Sequence, residues 1–464
     1  MALRLGSLSW PILSEHLLHA VLGLVFVWLT ARISDGTAAA FGVANMLMMS
    51  FFILFRLIGV GASVVVAQNL GAGDELGAAR VARASLGASL WMGLGVGTFV
   101  AASSGWLLRW MNLEPALLPE AQPYLMVLGA VLALDAVNTS MSAVVRSYTL
   151  TRAIMRLVLI INGVSLALGI PALLGWFGLP KLGLIGVGIA YLIARVIGLG
   201  VLVTIWRRDL GIHVAADDWW RIRRGPLTEM LRIGLPGAGE TIAHRVSFTL
   251  ILSLVAGMGT VSLATHTYLL QITHLVLLSS LALGFGTEII VGHLVGGARL
   301  RAADRQVRRA LGIALSIALG LGLLFAGTSR WILDVFTDDP RIIALGSSVA
   351  WAIVLVEPGR AFNLIVVNAL RATGDARFPA LVGPVFMFVV ALGLAWLLGV
   401  HWGLGLVGAW LGFGADEWAR GLIMYARWRR RGWVRHARRA RRRALAERRL
   451  AAPASTKDVL PQVA

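Results

Sequence analysis

The chain has 464 residues, of which 58% are hydrophobic and only 14% charged; soluble domains carry about 25% charged residues, so a string of soluble domains is excluded. The absence of cysteine excludes disulfides and thiolate metal sites. The net charge of +19 raises a nucleic-acid role, but the basic residues sit in alternate loops and in the tail, which is a signal of membrane topology.

Apolar runs recur every 35 to 40 residues or so, each near or above the ~20 residues needed to cross a bilayer as a helix. They are continuous rather than alternating, so helices are predicted and not a closed barrel. The first run, 8–31, has no Ala-x-Ala-like cleavage site and carries Glu15 in its middle, and reads as a retained helix rather than a signal peptide. Runs 37–66, 85–108, 122–146, 154–177 and 181–206 follow. A polar stretch, Arg207–Met230, then carries Asp217, Asp218, Trp219 and Trp220. Beyond it come 228–257, 261–292, 306–328, 344–369, 377–400 and 403–427.

The expected fold is all-α and integral to the membrane, with about twelve helices in two six-helix lobes. The expected divisions are a lobe over 1–206, a linker over 207–227 with Trp219 and Trp220 as interfacial anchors, a second lobe over 228–427, and a basic tail over 428–464. The basic stretch Arg427–Arg449 is expected to adhere to an anionic inner leaflet. Residues 450–464 are expected to be disordered. A monomer is expected.

Sorting the loops by side gives an asymmetry. One side holds Arg80, Arg83, Arg146, Arg152, Arg156, Arg207, Arg208, Arg221, Arg223, Arg224 and Arg232, then Arg299, Arg301, Arg305, Arg308, Arg309, Arg371 and Arg377. The other holds Arg32, Arg109, Lys181, Arg330 and Arg341. By the positive-inside rule both termini are cytoplasmic and the helix number is even, which suits a bacterial inner-membrane protein.

The chain also repeats itself at an offset of 225 residues. Pro11 and Pro236, Glu15 and Glu240, and His19 and His244 coincide, as do Gly59/Gly284, Gly61/Gly286, Gly71/Gly296, Arg80/Arg305 and Arg83/Arg308. Asn138/Asn363 and Arg146/Arg371 keep the same spacing. Six helices separate the copies, so both point the same way and the halves are parallel repeats about an axis along the membrane normal. Such halves enclose a site at their interface, and rocking one against the other gives alternating access.

Several stretches carry a family resemblance. They are Leu22-Gly-Leu-Val25, Gly61–Gly73, Gly234–Glu240 and Leu283–Gly286, with Glu357–Asn363, Leu370–Asp375 and Asp416–Arg420. In order and spacing, over roughly residues 5–430, the chain resembles the MATE (multidrug and toxic compound extrusion) transporters. That resemblance implies twelve helices, a central cavity, and drug export driven by a proton or sodium gradient. Three carboxylates common in the family are replaced here by Phe26, His244 and Arg360, so other groups must carry the cation.

The candidates for cation coupling are Glu15, Glu240 and Asp416. An ionisable group in hydrocarbon is costly and faces a bundle interior or a wet cavity. Glu15 lies about ten residues, or about 15 Å, into its helix, near mid-membrane. Glu15 and Glu240 are read either as carboxylates that bind and release a proton or as members of structural ion pairs within their lobes. His19 and His244, four residues on, share their helix face and either extend a proton path or donate a hydrogen bond between helices. Asp135, three residues before Asn138, is expected opposite Arg360, next to Asn363, as an ion pair between lobes, either a latch or a permanent bridge. Glu357, one turn before Arg360, is expected to be neutralised locally. Glu417 and Arg420 are expected to pair, leaving Asp416 free. Glu288 is expected at the interface. The Met46, Met48, Met49, Phe51, Phe52 and Phe55 set lines a greasy cavity or packs. No metal site is expected, because two Glu/His pairs in separate lobes supply too few converging ligands.

No phosphate loop or protease motif occurs, so an enzyme is not expected, nor any cofactor beyond a coupling H+ or Na+. The expected function is secondary antiport of amphipathic or cationic small molecules, with no nucleic-acid partner. The alternatives are a flippase for lipid-linked saccharides, whose phosphate cargo calls for a more basic cavity, and a membrane-embedded scaffold acting through its basic tail.

Overall fold

A computed structural model describes residues 4–178 and 180–451, and the expectation for 450–464 falls almost wholly outside them. All regular structure among the described residues is helical. The first half comprises α1 (Leu5–Ile33), α2 (Asp35–Gly71), α3 (Glu75–Ala102), the short α4 (Ser104–Trp110), α5 (Leu118–Ser147), α6 (Thr151–Leu174) and α7 (Gly183–Arg208). A short α8 (Ala216–Trp220) leads to α9 (Arg224–Ala256), α10 (Thr260–Gly296), α11 (Leu300–Asp334), α12 (Pro340–Ala372), α13 (Arg377–Phe386) and α14 (Gly393–Trp396), then α15 (Gly405–Arg429) and α16 (Val434–Ala451).

All twelve expected spans are helical. Ten helical runs are long and apolar enough to cross a membrane by length and composition. The two long helices outside that set, α9 and α15, are the ones into which Glu240, Arg245, Asp416, Glu417 and Arg420 are built. The third helix starts ten residues before its apolar run, at Glu75, because the Asp74 side chain accepts from the Gly77 N–H at 3.0 Å and caps it. The run 377–401 is not a uniform α-helix: it widens into π turns at Met387–Leu392 and Leu397–His401, downstream of Pro384.

The repeat holds in three dimensions. Adding 225 to both bounds of α2 yields the bounds of α10. In the first lobe α5 packs against α2, α3 and α7; in the second, α12 packs against α10, α11 and α15.

The lobes meet along a seam in their arginine-rich half, and the seam is itself symmetric. An ideal Cβ on Gly71 would lie 2.1 Å from the His293 carbonyl oxygen, and one on Gly296 2.0 Å from that of Gln68. These residues are repeat mates, so each helix of the α2/α10 pair offers a glycine to the other's backbone. Ten residues further in, nearly three helical turns, Gly61 meets the Met230 backbone and Gly286 meets Leu5 and Ser9. Two hydrogen bonds cross the seam in the same symmetric sense. The Gln68 Nε2–H donates to the Ala372 carbonyl at 2.7 Å, and His293 Nε2 lies 2.8 Å from the Ser147 carbonyl. Beyond the seam, α2 exposes Met46 and Met49 and α10 exposes Leu275.

Candidate functional site

Each lobe holds a string of ionisable groups on matching helices. In the first lobe, Glu15 on α1 takes two bonds from Arg146 Nη1, at 2.9 and 3.1 Å. His19 follows one turn along and is in electrostatic range of Glu15, Arg195, Asp135 and Arg146. Asp135 on α5 pairs with Arg195 on α7 at 3.1 Å, and the Asn138 amide donates to the Arg195 carbonyl at 3.1 Å.

The second lobe repeats the plan and adds charge to it. Glu240 on α9 pairs with Arg371 on α12 at 2.6 Å. His244 follows, in range of Glu417, Arg420, Arg360 and Glu240. Arg420 on α15 binds Asp416 at 2.6 Å and Glu417 at 2.9 Å. Asn363 donates to Glu417 at 2.8 Å, and Arg360 binds Glu357 at 2.7 Å. Glu357 and Asp416 are fully buried.

Charge is therefore balanced in the first string and unbalanced in the second. The first sets Glu15 and Asp135 against Arg146 and Arg195. The second sets Glu240, Glu357, Asp416 and Glu417 against Arg360, Arg371 and Arg420, an excess of one carboxylate. An unmatched charge in low dielectric is costly. Among the described residues no group of three or more His, Cys, Asp or Glu is arranged to hold a metal ion.

Several expectations are corrected. Asp135 and Arg360 do not bridge the lobes, because Arg195 and Glu357 lie closer and satisfy each of them. Asp416 is not free: on an α-helix i,i+4 is as near as i,i+3, and Arg420 reaches both acids. Arg146 and Arg371 lie in the last turns of α5 and α12 and reach back to Glu15 and Glu240. Glu288 is buried, not interfacial, in range of Arg371, Arg56 and Arg146. The Met and Phe set on α2 divides: Met46 and Met49 are exposed, whereas Met48 and Phe55 are buried in the core. Glu357 is neutralised by Arg360 as expected.

Arg195 escaped the sequence reading. The signal was there: it is an arginine inside an apolar helix, 225 residues before Arg420. A second omission is the aromatic train leading from His244. Its ring stacks on Phe248, with 6.3 Å between centroids; Phe248 stacks on His266 at 6.3 Å; and the Trp410 indole N–H donates to His266 Nδ1 at 3.1 Å.

The MatE family model matches this chain twice, at residues 11–171 and 236–397, and the two matches begin 225 residues apart. The uncharacterized transporter YisQ of Bacillus subtilis is 35% identical over 430 residues, covering 93% of this chain and 94% of that protein. The probable multidrug resistance protein NorM of Pseudomonas putida is 29% identical, covering 87% of this chain and 89% of its own length. Among solved structures, a multidrug resistance MATE family transporter of the MOP superfamily in an outward-facing conformation superposes with a TM-score of 0.82 at 21% identity, over 96% of both chains. A MOP superfamily transporter from Pyrococcus furiosus superposes with a TM-score of 0.83 at 21% identity, over 94% of this chain and 96% of that one.

Proposed function

The chain belongs to the MATE family, and from that premise we propose that it is a secondary antiporter of the bacterial inner membrane. It exports amphipathic, cationic small molecules in exchange for H+ or Na+, and it acts as a monomer without enzymatic activity. The observation that carries this reading is the extra carboxylate of the second lobe's buried string. A string with four acids and three arginines holds either a coupling cation or the charge of a cationic substrate, but not both at full strength, and that competition is what makes exchange obligatory. Asp416, Glu417 and Glu240 are the proposed coupling groups. His244 relays between Glu240 and the Arg420 acids, and Glu357, Arg360 and Asn363 fix the string's far end. Glu15, His19, Asp135 and Asn138 form the balanced counterpart, which orients α1 against α5 and α7 as the lobe moves. The arginine-rich face is cytoplasmic, so the closed seam corresponds to a cavity open to the outside.

The experiment is substrate-induced proton or sodium flux in proteoliposomes. Asp416→Asn and Glu240→Gln should each uncouple substrate movement from the ion gradient. Wild-type gradient-driven efflux in both variants would reject the assignment. A flippase for phosphate-bearing saccharides would need a net basic string, and this one is net acidic.

A further inference from the structure

The last two described helices, α15 and α16, meet in an elbow that the transport cycle leaves unexplained. α15 turns into α16 through Arg430–Trp433, and the turn is built rather than loose. Trp428 and Trp433 are both buried and stack with 4.4 Å between centroids. The Trp433 indole N–H donates to the Trp428 carbonyl at 3.0 Å, and that of Trp428 donates to Asp304 on α11 at 3.0 Å. Arg427 is held by Asp375 at 3.0 Å and lies over the Phe378 ring at 4.8 Å. From this fixed frame α16 crosses the arginine-rich end of the seam. Ala437 and Ala444 turn inward, its packing reaches α2, α3 and α10, and Arg443 binds Glu229 of α9 at 2.8 Å.

The outer side of the elbow is a cleft of about 820 Å³. Arg430, Arg431, Arg435 and Arg439 line it, and none of the four has a carboxylate partner among the described residues. Its other wall is apolar, from Phe378 and Ile423. Four guanidinium groups held together on a fixed scaffold repel one another, and a planar guanidinium matches a phosphate oxygen pair better than any other common anion. An apolar wall beside a cationic rim, at the end of a membrane-spanning helix, has the amphipathic pattern of a phospholipid.

We propose that this cleft binds the headgroup of an anionic phospholipid, with its glycerol and upper acyl chain along Phe378 and Ile423. The choice of leaflet rests on the cytoplasmic assignment of the arginine-rich face; the binding itself does not. A lipid seated here bears on the helix that straps both lobes, so it favours the closed seam.

The test uses the full chain, released from detergent for native mass spectrometry after incubation with equal amounts of dioleoyl phosphatidylglycerol and dioleoyl phosphatidylcholine. The wild type should retain one phosphatidylglycerol in preference. The Arg430→Gln/Arg435→Gln/Arg439→Gln variant should lose that preference by roughly a hundredfold, from the worth of a basic residue near an anionic surface. The three side chains are exposed, and an unchanged melting temperature checks folding; if the triple variant melts early, the single variants Arg435→Gln and Arg439→Gln each carry a proportionate loss. Equal retention of the two lipids by the wild type would overturn the proposal. So would undiminished phosphatidylglycerol in the variants, or its displacement by millimolar inorganic phosphate, which would make the cleft a free-anion site. None of these readouts depends on transport activity.

Discussion

Gly71→Ala and its mate Gly296→Ala should open the arginine-rich end of the seam. The added Cβ would lie 2.1 Å from the His293 carbonyl oxygen in one variant and 2.0 Å from the Gln68 carbonyl oxygen in the other, against 3.4 Å for the start of ordinary van der Waals contact. The obstacle is backbone, so no rotamer change relieves it, and the lobes must separate by more than 1 Å. Overpacking of this kind costs about 1–3 kcal/mol, and the whole cost falls on the closed arrangement because only there do α2 and α10 touch at these atoms. The ratio of closed to open molecules should fall by a factor of roughly 5 to 150. The chain has no cysteine, so spin labels can be placed cleanly at Leu76→Cys on α3 and Arg301→Cys on α11, an exposed and symmetry-related pair. Double electron–electron resonance should show a longer distance population in either alanine variant. Gly23→Ala, with nothing within 4 Å of its added carbon, should leave the distances unchanged while adding up to ~1 kcal/mol of helix propensity. Unaltered distances in Gly71→Ala and Gly296→Ala would refute the idea that these glycines set the closed seam.

The ion pairs make further predictions. Arg371→Gln should destabilise more than the double variant Glu240→Gln/Arg371→Gln, since breaking one side of a buried pair costs about 3–5 kcal/mol and removing both restores much of it; thermal melts in detergent measure the difference. Arg146→Gln and Glu15→Gln should show the same pattern with a smaller amplitude, because that pair keeps more solvent contact. Arg195→Gln should weaken the first lobe by orphaning Asp135, with no change in the ion stoichiometry of transport. Asp416→Asn should raise the melting temperature or leave it unchanged while reducing coupled flux, since it removes the surplus charge from a string whose Arg420 still keeps Glu417; a large drop in melting temperature would mean that Asp416 is structural.

The architecture was legible because its signals are long-range and repetitive. Apolar runs of bilayer length, arginines confined to alternate loops, and a 225-residue offset each constrain the whole chain, and they agree. The offset even marked Gly61, Gly71, Gly286 and Gly296, though it did not say that glycine stood there to let backbones cross. Pairing was less legible. The sequence offered Arg360 to Asp135 by symmetry and kept Arg195 out of view, because a partner is chosen by a few ångströms of side-chain reach that a spacing rule does not resolve. The reach of Arg146 and Arg371 was illegible for a related reason. A long arginine at the last turn of its helix folds back along it to reach a glutamate on a neighbouring helix.

The departures from symmetry say more about function than the symmetry does. Where the first lobe has Leu132, Asp135, Tyr191 and Leu192, the second has at the mate positions Glu357, Arg360, Asp416 and Glu417. At these positions one lobe carries one acid, a phenol hydroxyl and apolar carbons, the other three acids and an arginine. Burying two more acids against one more arginine, where Leu132, Tyr191 and Leu192 fit the same frame opposite Glu357, Asp416 and Glu417, is unfavourable for stability alone. The MATE resemblance implies carboxylates where this chain has Phe26, His244 and Arg360, and acids of the second lobe accompany the last two: Glu357 pairs with Arg360, and Glu417 is in electrostatic range of His244. Relocated carboxylates would account for both the losses and the gains. On that reasoning Arg360→Asp, which returns an acid to that position, should weaken the fold by leaving Glu357 without its partner, and Glu357→Gln in the same chain should relieve the defect. If the single variant melts as the wild type does and the second substitution changes nothing, then Arg360 and Glu357 do not depend on each other, and the relocation argument fails.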